Sequence, residues 1–494
     1  MIQQRQQMKH IHILGICGTF MGGIAALAKA LGYKVTGSDS NVYPPMSTQL
    51  EKLGISLFQG DDMAQLEPRP DLVIIGNALS RGHPIVEDVL EQKLRYQSGP
   101  QWLGEELLRE RHVLAVSGTH GKTTTASMLV WVLEQAGLNP SFLVGGVVQP
   151  YNETARLTDS PYFVIEADEY DTAFFDKRSK FLHYFSNTLV MNNLEFDHAD
   201  IFSDLAAIQQ QFAYVLRTVP KNGQVIYPAA VTALSEVVAK GCWSEQVCTG
   251  NNQAWDTELL NSAGSAFVVL HKGVEVARVE WDLIGTHNVE NGLMAIVAAA
   301  QVGVTPKQAA EALNRFTSPA RRLQLRGKIA GVRIYDDFAH HPTAIATTLQ
   351  AMRAHVGPDA RILAIFEPRS NTMKAGVHKD TLAAAFSDAD EVYGLQPEGA
   401  KWQLAEQLKP LIEPRKTEAQ QKNIPVCIRE NVNDLAKAIV QGFQERNENM
   451  GNAGQAVEEY WVVMSNGAFG GIHQILLNSL TQITATEESN GVAT

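Results

Sequence analysis

The sequence predicts an α/β protein built of three domains. At 494 residues the chain is longer than a single hydrophobic core usually organises, so several domains are expected. Short apolar runs alternate with helical stretches, a pattern typical of parallel sheets. Most runs are closely followed by Gly, Asn, Asp, Glu or Ser, where open α/β sheets place their ligands. The predicted strands are residues 11–14, 34–36, 72–75, 113–116, 163–165, 188–191, 361–366 and 461–464.

Two breaks in this pattern divide the chain into residues 1–105, 106–317 and 318–494. The first break follows a Gln-Ser-Gly-Pro turn and precedes the strand at 113–116. The second coincides with a Ser-Pro step at which a helical stretch ends. We therefore predict one domain on either side of a central domain.

Composition excludes several classes of function. The formal net charge of -12, from 41 basic and 53 acidic residues, gives no general attraction for nucleic acid or an anionic membrane. No apolar run approaches the roughly 20 residues of a membrane span, and the polar N-terminus lacks the hydrophobic region of a signal peptide. Four scattered cysteines lack paired metal-ligand spacing, which fits a reducing compartment. We expect a cytoplasmic protein that binds neither nucleic acid nor membrane.

A glycine-rich loop at residues 15–23 follows the first strand and precedes a helical stretch at 24–31. Glycines let a backbone turn tightly and approach a pyrophosphate at the positive end of a helix. An acidic residue after the next strand commonly meets a ribose hydroxyl. The Gly-x-x-Gly spacing disfavours a nicotinamide or flavin, and a glycine-rich turn without a ligand remains the alternative. The candidate residues are Gly15, Cys17, Gly18, Thr19, Phe20, Met21, Gly22 and Asp39.

The most specific motif is Ser-Gly-Thr-His-Gly-Lys-Thr-Thr at 117–124, which follows the strand at 113–116. Backbone N–H groups of such a loop can surround a β-phosphate, Lys122 can reach the β- and γ-oxygens, and the Thr123 hydroxyl can bind Mg²⁺. Val116 replaces the first glycine of the usual phosphate-loop pattern. A purely structural role is hard to assign to this run, which enters a helix predicted at 125–136. The candidate nucleotide ligands are Gly118, Thr119, His120, Gly121, Lys122, Thr123 and Thr124.

Acidic residues follow two later strands, at 166–169 and within 192–200. Oxygen ligands suit Mg²⁺, and a carboxylate and an imidazole at adjacent strand ends could hold a second ion near the γ-phosphate. We therefore predict Thr123, Glu166 and His198 as metal ligands. A solvated acidic loop is the alternative.

Residues 285–291 precede an alanine-rich helix and contain two asparagines. Amide side chains both donate and accept, as an adenine edge requires, although asparagine is also favoured at helix N-caps.

The last predicted domain begins with Arg322, followed by Asp337 and His340 at a strand end. Adjacent acid and imidazole groups suit proton handling or phosphate contact, and a nearby arginine can stabilise charge on a transferring phosphoryl group. A metal site at the histidine pair 340–341 is disfavoured because the surrounding sequence offers no third soft ligand. A polar turn before a helix is the alternative.

The motifs resemble those of the Mur ligase family, in the family's order and over essentially the whole chain. The resemblance implies a Rossmann-like N-terminal domain that binds UDP, a central phosphate-loop ATPase domain, and a Rossmann-like C-terminal domain that closes over both. It also implies that ATP and Mg²⁺ are required. Under this resemblance His287, Asn288 and Asn291 would contact adenine. The catalytic residues would be Lys122, Arg322, Asp337 and His340.

Within the family, the glycine-rich loop at 15–23 and residues 338–342 resemble the branch that acts on UDP-N-acetylmuramate. The loop at 15–23 and the segments 41–48 and 366–373 are most similar to members that attach the tripeptide L-alanyl-γ-D-glutamyl-meso-diaminopimelate during peptidoglycan recycling. The implied reaction is ATP-dependent amide formation through an acyl phosphate. Free L-alanine is the alternative amine substrate.

Two departures from the family pattern bear on the site. L-alanine-adding relatives have His-Arg at the positions of Arg369 and Ser370, so we predict that Arg369, Ser370 and Asn371 select the amine. Some relatives carry a carbamylated lysine after the metal-binding histidine, whereas residues 201–217 contain no lysine.

Two other classes of function explain less of the sequence. A nucleotide-gated sensor would not need Glu166, His198, Asp337 and His340 together. A dinucleotide-dependent oxidoreductase accounts only for the loop at 15–23.

Overall fold

The computed structural model describes residues 10–42, 46–412, 423–450 and 458–491, without the side chains of 449–450 and 486–491. These residues form three α/β units, each built around a mainly parallel sheet. The three-domain α/β prediction is confirmed. Residues 43–45 of the segment 41–48 lie outside the described part of the chain.

The first unit is a five-stranded parallel sheet in the order β3-β2-β1-β4-β5. Its central strand is buried along its whole length, as expected for a strand covered on both faces. The strands are β1 (His10–Leu14), β2 (Lys34–Asp39), β3 (Ser56–Gln59), β4 (Leu72–Ile75) and β5 (Tyr96–Ser98). The helices are α1 (Thr19–Ala30), α2 (Met46–Lys52), α3 (Pro84–Glu91) and α4 (Gly99–Leu103).

Helix α1 begins inside the glycine-rich loop, five residues before the predicted start. Its glycines allow close packing, because a Cβ at Gly22 would overlap Met46 and a Cβ at Gly23 would overlap Leu143 of the second unit. One apolar cluster accordingly contains buried residues from both of the first two units.

The second unit contains a ten-stranded sheet in the order β17-β16-β15-β14-β13-β12-β6-β9-β7-β8, beside a small hairpin of β10 and β11. The strands are β6 (His112–Ser117), β7 (Ser141–Val148), β8 (Glu153–Arg156), β9 (Tyr162–Glu166), β10 (Asp171–Ala173), β11 (Asp176–Ser179), β12 (Thr188–Met191), β13 (Gln224–Pro228), β14 (Glu245–Thr249), β15 (Trp255–Leu259), β16 (Ala266–His271) and β17 (Val274–Glu280). The helices are α5 (Lys122–Gln135), α6 (Leu205–Leu216), α7 (Thr232–Ala239), α8 (Thr286–Ala300) and α9 (Pro306–Leu313).

The third unit has six strands in the order β18-β19-β23-β20-β21-β22, with only β18 antiparallel to its neighbour. The strands are β18 (Gln324–Ile329), β19 (Val332–Asp337), β20 (Arg361–Phe366), β21 (Glu391–Leu395), β22 (Val426–Arg429) and β23 (Glu459–Met464). The helices are α10 (Pro342–Val356), α11 (Asn371–Lys374), α12 (Lys379–Leu382), α13 (Leu404–Ile412), α14 (Val432–Met450) and α15 (Ile472–Gly491).

The register of three central strands brings the polar motifs together. In the parallel ladder Met191 pairs with Ser117, and Glu166 pairs with Val116. Strands β6, β9 and β12 therefore end at the same edge of the sheet, and the loops that follow them meet there.

Among the described residues, no helix is both long and apolar enough to cross a membrane. All four cysteines are free thiols.

Candidate active site

The phosphate loop lies between β6 and α5, and two glycines shape it. Gly118 and Gly121 have φ angles of 132° and 78°, a region that residues with a Cβ rarely adopt. Helix α5 starts at Lys122, three residues before the predicted start, because Gly121 completes the turn directly in front of it.

The loop that follows β12 holds the phosphate loop in place. Asn193 Oδ1 accepts a hydrogen bond from the His120 backbone N–H at 2.8 Å, and Asn193 Nδ2 donates to the His120 carbonyl at 3.1 Å. The Glu195 N–H donates to Thr119 Oγ1 at 2.9 Å. The sequence pattern pointed to metal binding in this stretch and gave no sign of the clamp, which depends on the juxtaposition of β6 and β12.

Lys122 places a buried cation at the centre of the loop. Its Nζ donates to the Gly118 carbonyl at 2.7 Å and to Glu169 Oε2 at 3.0 Å. Burial alone would lower the pKa of Lys122, but Glu169 and Asp168 outweigh burial and hold that pKa above its usual value. The ammonium group is therefore charged at neutral pH, with Glu169 as its ion-pair partner.

Thr123 and Glu166 form an oxygen-rich pair beside Lys122. The Thr123 hydroxyl donates to Glu166 Oε1 at 3.0 Å, and the Gly145 N–H donates to Glu166 Oε2 at 2.7 Å. Neighbouring ligands in an octahedral Mg²⁺ shell lie roughly 2.9 Å apart, given metal–oxygen distances of about 2.0–2.1 Å. Burial and then Asp168 raise the pKa of Glu166, so a divalent cation would favour its charged form. These two residues fit a Mg²⁺ ion.

His198 contacts a different carboxylate from the one that the sequence suggested. Its Nε2 lies 3.3 Å from Glu169 Oε1, and Glu169 also contacts Lys122. Burial would raise the pKa of Glu169, but Lys122 and His198 lower it to about 2. Glu169 therefore stays ionised and joins His198 to the phosphate loop. Glu169 is the last acidic residue of the stretch at 166–169, and no role was predicted for it from the sequence.

The three residues predicted to contact adenine lie at the start of α8, in different environments. Asn291 Oδ1 accepts from Thr125 Oγ1 at 3.0 Å, so this buried amide joins α8 to α5 behind the phosphate loop. Asn288 Nδ2 donates to the Ile284 carbonyl at 2.7 Å. Only His287 keeps a buried ring nitrogen, Nδ1, without a partner in the described structure. Gly285, with φ 94°, occupies the N-cap position, so neither asparagine is the cap.

Asp337 organises the entrance to the third unit. Its carboxylate accepts hydrogen bonds from the backbone N–H groups of Leu323 and Ala339, at 2.7 and 2.8 Å. The Arg322 guanidinium carbon lies 5.0 Å from the Phe338 ring centroid, and within the described ranges it makes no hydrogen bond or ion pair. Arg322 is therefore available to an anion, whereas Asp337 shapes the backbone around it.

His340 is held as a neutral imidazole with a defined tautomer. Its Nδ1–H donates to the Phe338 carbonyl at 3.0 Å, which leaves a lone pair on Nε2. Burial lowers the pKa of His340 to about 4.

A cavity of about 480 Å³ opens at the carboxyl ends of β1 and β2. Two predicted residues lie outside its lining and shape the loop instead. The Cys17 N–H donates to Asp39 Oδ2 at 3.0 Å, and Gly22 packs beneath Met46. Six of the eight predicted residues line it: Gly15, Gly18, Thr19, Phe20, Met21 and Asp39.

Lys180, from the second unit, forms part of the wall of this same cavity. The ammonium nitrogen lies 4.4 Å from the Phe20 ring centroid, 4.1 Å from the Tyr170 ring centroid and 3.3 Å from Asp168 Oδ2. Burial lowers the pKa of Lys180. The sequence gave no signal for this residue, because only the β10–β11 hairpin brings it to the cavity.

A second cavity, of about 300 Å³, lies between the second and third units. It brings the three predicted amine-selecting residues next to His198 and His340. Asn371 Nδ2 donates to Asp200 Oδ2 at 3.0 Å, whereas the exposed Arg369 packs against Gly467. The cavity is lined by Asp197, His198, Asp200, His340, Arg369, Ser370, Asn371, Thr372 and Asn466.

Hydrogen bonds hold the second and third units together around this cavity. Thr372 Oγ1 donates to Asp197 Oδ1 at 2.8 Å, and Thr343 Oγ1 donates to Glu195 Oε2 at 2.7 Å. The phosphate loop and the residues around Arg322 and His340 therefore face one shared space.

Three family models match consecutive parts of the chain. The Mur ligase family catalytic domain matches residues 10–111, the Mur ligase middle domain matches residues 116–299, and the Mur ligase glutamate ligase domain matches residues 321–458.

Curated proteins and solved structures are similar over nearly the whole length. UDP-N-acetylmuramate--L-alanyl-gamma-D-glutamyl-meso-2,6-diaminoheptandioate ligases of Haemophilus influenzae and Escherichia coli are 53% and 54% identical, over 96% of this chain and 99% and 98% of theirs. The crystal structure of a murein peptide ligase from Psychrobacter arcticus superposes with a TM-score of 0.70 at 44% identity, covering 96% of this chain and 98% of the other.

Proposed function

The chain belongs to the Mur ligase family, and we propose that it joins L-alanyl-γ-D-glutamyl-meso-diaminopimelate to UDP-N-acetylmuramate at the expense of ATP. Similarity over 96% of the chain to ligases of that name supports the proposal. The observation that carries it at the site is the second cavity, where Arg369 and Ser370 lie beside His198 at the end of the phosphate-loop sheet.

The proposed reaction has two chemical steps. An oxygen of the lactyl carboxylate attacks the γ-phosphorus of ATP, the bond to the bridging oxygen breaks, and an acyl phosphate and ADP form. The neutral α-amine of the tripeptide then attacks the acyl carbon, inorganic phosphate leaves, and the amine loses one proton. Phosphorylation is needed because oxide is an impossible leaving group at neutral pH.

Phosphate binding is assigned to the phosphate loop and to the start of the third unit. Lys122 would contact the β- and γ-phosphates, and the loop amides of residues 118–124 would hold the triphosphate. Arg322 would neutralise charge on the transferring group. His340 Nε2, a lone-pair acceptor at the second cavity, would accept a hydrogen bond from the attacking amine and orient it. Asp337 positions these two residues through its backbone hydrogen bonds.

Thr123 and Glu166 would hold Mg²⁺, and Glu169 with His198 offers a second pair of ligands. The ion would supply charge neutralisation on the phosphoryl oxygens. Closure of the third unit over the phosphate loop would exclude water, which would otherwise hydrolyse the acyl phosphate. The adenine contacts of His287, Asn288 and Asn291 remain part of the proposal, with His287 best supported because its Nδ1 lacks a partner among the described residues.

The first cavity is the proposed site of the UDP moiety. Its glycine-rich loop leads into α1, whose first N–H groups would bind the pyrophosphate. Lys180 would add the one lysine among the described lining residues, and it shares the Asp168 carboxylate with Lys122 of the phosphate loop. We also propose the domain limits 1–105, 106–317 and 318–494, and a cytoplasmic role in peptidoglycan recycling.

The amine substrate is the point on which the proposal and its nearest alternative differ. We propose initial-rate measurements of phosphate release with UDP-N-acetylmuramate, ATP and either tripeptide or L-alanine, with mass-spectrometric detection of the product. We expect the turnover rate with tripeptide to exceed the rate with L-alanine at least about 100-fold. Faster turnover with L-alanine would establish the alternative, an L-alanine-adding ligase. Phosphate release that depends on neither amine would overturn the ligase assignment.

A further inference from the structure

Three side chains from separate segments converge beside the phosphate loop without serving the Mg²⁺ pair. His120 belongs to the phosphate loop, Glu195 to the loop after β12, and His341 to the N-cap of α10. One ligand atom from each lies within 4.8 Å of the others. The sequence disfavoured a metal at residues 340–341 because no third ligand is near them in the chain, whereas the fold supplies two from the second unit.

The distances from Glu195 to the two histidines match those in a tetrahedral metal centre. Glu195 Oε2 lies 3.3 Å from His120 Nε2 and 3.3 Å from His341 Nδ1. Metal–nitrogen and metal–oxygen distances of about 2.0–2.2 Å place adjacent ligands of tetrahedral Zn²⁺ roughly 3.3 Å apart. Two of the three ligand pairs therefore already have the spacing of a zinc site, and the two imidazole nitrogens lie within 4.8 Å of each other.

The hydrogen bonds around His341 leave its imidazole incompletely paired. Its Nδ1 lies 3.3 Å from the Thr343 nitrogen and 3.3 Å from Glu195 Oε2, so one long hydrogen bond is all that a metal ion would displace from the Nδ1 lone pair. Its Nε2 is buried and lacks a partner in the described structure. Glu195 Oε2 also accepts from the Thr343 hydroxyl at 2.7 Å, and a cation between Oε2 and Nδ1 would satisfy both acceptor atoms at once.

We propose that His120, Glu195 and His341 bind a divalent transition-metal ion of the Zn²⁺ class, at a site separate from Thr123 and Glu166. Two imidazoles and one carboxylate suit Zn²⁺, Co²⁺ or Ni²⁺, whereas the two oxygen ligands of Thr123 and Glu166 suit Mg²⁺. Because the ligands come from both the second and third units, a bound ion fastens the two units in the arrangement of this structure.

The test is Zn²⁺ binding to the full chain by isothermal titration calorimetry in excess Mg²⁺, which occupies oxygen-rich sites. Glu195→Gln keeps the shape of the side chain and removes its charge. His341→Asn removes the imidazole and keeps a residue favoured at helix N-caps. His378→Gln is the matched control, because its ring packs 4.3 Å from that of His341 without belonging to the cluster.

One tight equivalent of Zn²⁺ is expected for the native chain and for His378→Gln, and at least about 100-fold weaker binding for the other two variants. Circular dichroism and melting temperature of the metal-free variants establish that they are folded. Zinc-edge X-ray absorption of the native complex should show two imidazole ligands. Absence of tight Zn²⁺ binding to the native chain would overturn the proposal. A Zn²⁺ affinity of Glu195→Gln and His341→Asn equal to that of the native chain would also overturn it.

Discussion

Asn193→Ala removes the side chain that clamps the phosphate loop, and its consequence can be worked out from two contacts. The amide makes hydrogen bonds of 2.8 and 3.1 Å to the two backbone groups of His120. At a net value of about 0.5–1.5 kcal/mol each, the pair contributes about 1–3 kcal/mol to keeping the loop in its binding conformation. If that free energy is lost from ATP binding and phosphoryl transfer, kcat/KM for ATP falls roughly 5-fold to 150-fold.

The assay is the initial rate of phosphate release as a function of ATP concentration, at saturating sugar nucleotide and amine. Asn187→Ala is the matched control, since Asn187 Oδ1 accepts a backbone hydrogen bond from Val113 at 2.9 Å, at the opposite end of β6. The control should lower the melting temperature and leave kcat/KM for ATP within about 2-fold of native. Equal kcat/KM losses in both variants, or no loss in Asn193→Ala, would refute the clamp.

Four further predictions follow from other parts of the site and core. Lys180→Met should raise the KM for UDP-N-acetylmuramate about 10-fold or more in steady-state assays, since a charge-assisted contact is lost in the first cavity. The KM for ATP should stay unchanged, and a rise in the KM for ATP alone would contradict this role. Glu169→Gln should reduce kcat by roughly 10- to 100-fold and shift the Mg²⁺ dependence of the rate to higher concentration. An unaltered Mg²⁺ dependence would contradict the proposed role of Glu169 and His198 as metal ligands. Replacing Arg369 with His and Ser370 with Arg together should increase the ratio of L-alanine to tripeptide turnover about 10-fold, and an unchanged ratio would remove these residues from amine selection. His12 is fully buried and burial lowers its pKa to about 4, so the folded state binds fewer protons than the unfolded state below pH 6.5. Folding should lose about 2 kcal/mol at pH 5 through this residue, and urea unfolding of His12→Asn should show a shallower decline from pH 7 to 5 than the native chain; identical slopes would contradict the assignment.

The sequence predicted the site best where functional residues directly follow a strand. Lys122 and Glu166 could be placed near each other because each follows an apolar run, and parallel strands end at one edge of a sheet. The register of β6, β9 and β12 then brings the loops together as expected. The first cavity was predictable for the same reason, since six of the eight predicted residues line it.

Contacts that depend on a hairpin or on two packed units were not predictable. Lys180 reaches the first cavity only because the β10–β11 hairpin folds back over it. Glu169, rather than Glu166, faces His198, and a difference of three residues along an irregular loop leaves no periodic signal. Asn291 was expected near adenine from its amide chemistry and the family resemblance, and the hydrogen bond by which it joins α5 to α8 was not predicted. Propensity and spacing describe a segment, but these roles arise from tertiary packing.

The most direct test of the account follows oxygen atoms from the organic acid to phosphate. UDP-N-acetylmuramate labelled with ¹⁸O in its lactyl carboxylate would be incubated with the enzyme, ATP, Mg²⁺ and tripeptide, and the released phosphate analysed by mass spectrometry. An acyl phosphate intermediate predicts that one labelled oxygen appears in the phosphate for each amide bond formed. Product formation with unlabelled phosphate would show that the carboxylate never attacks the γ-phosphorus.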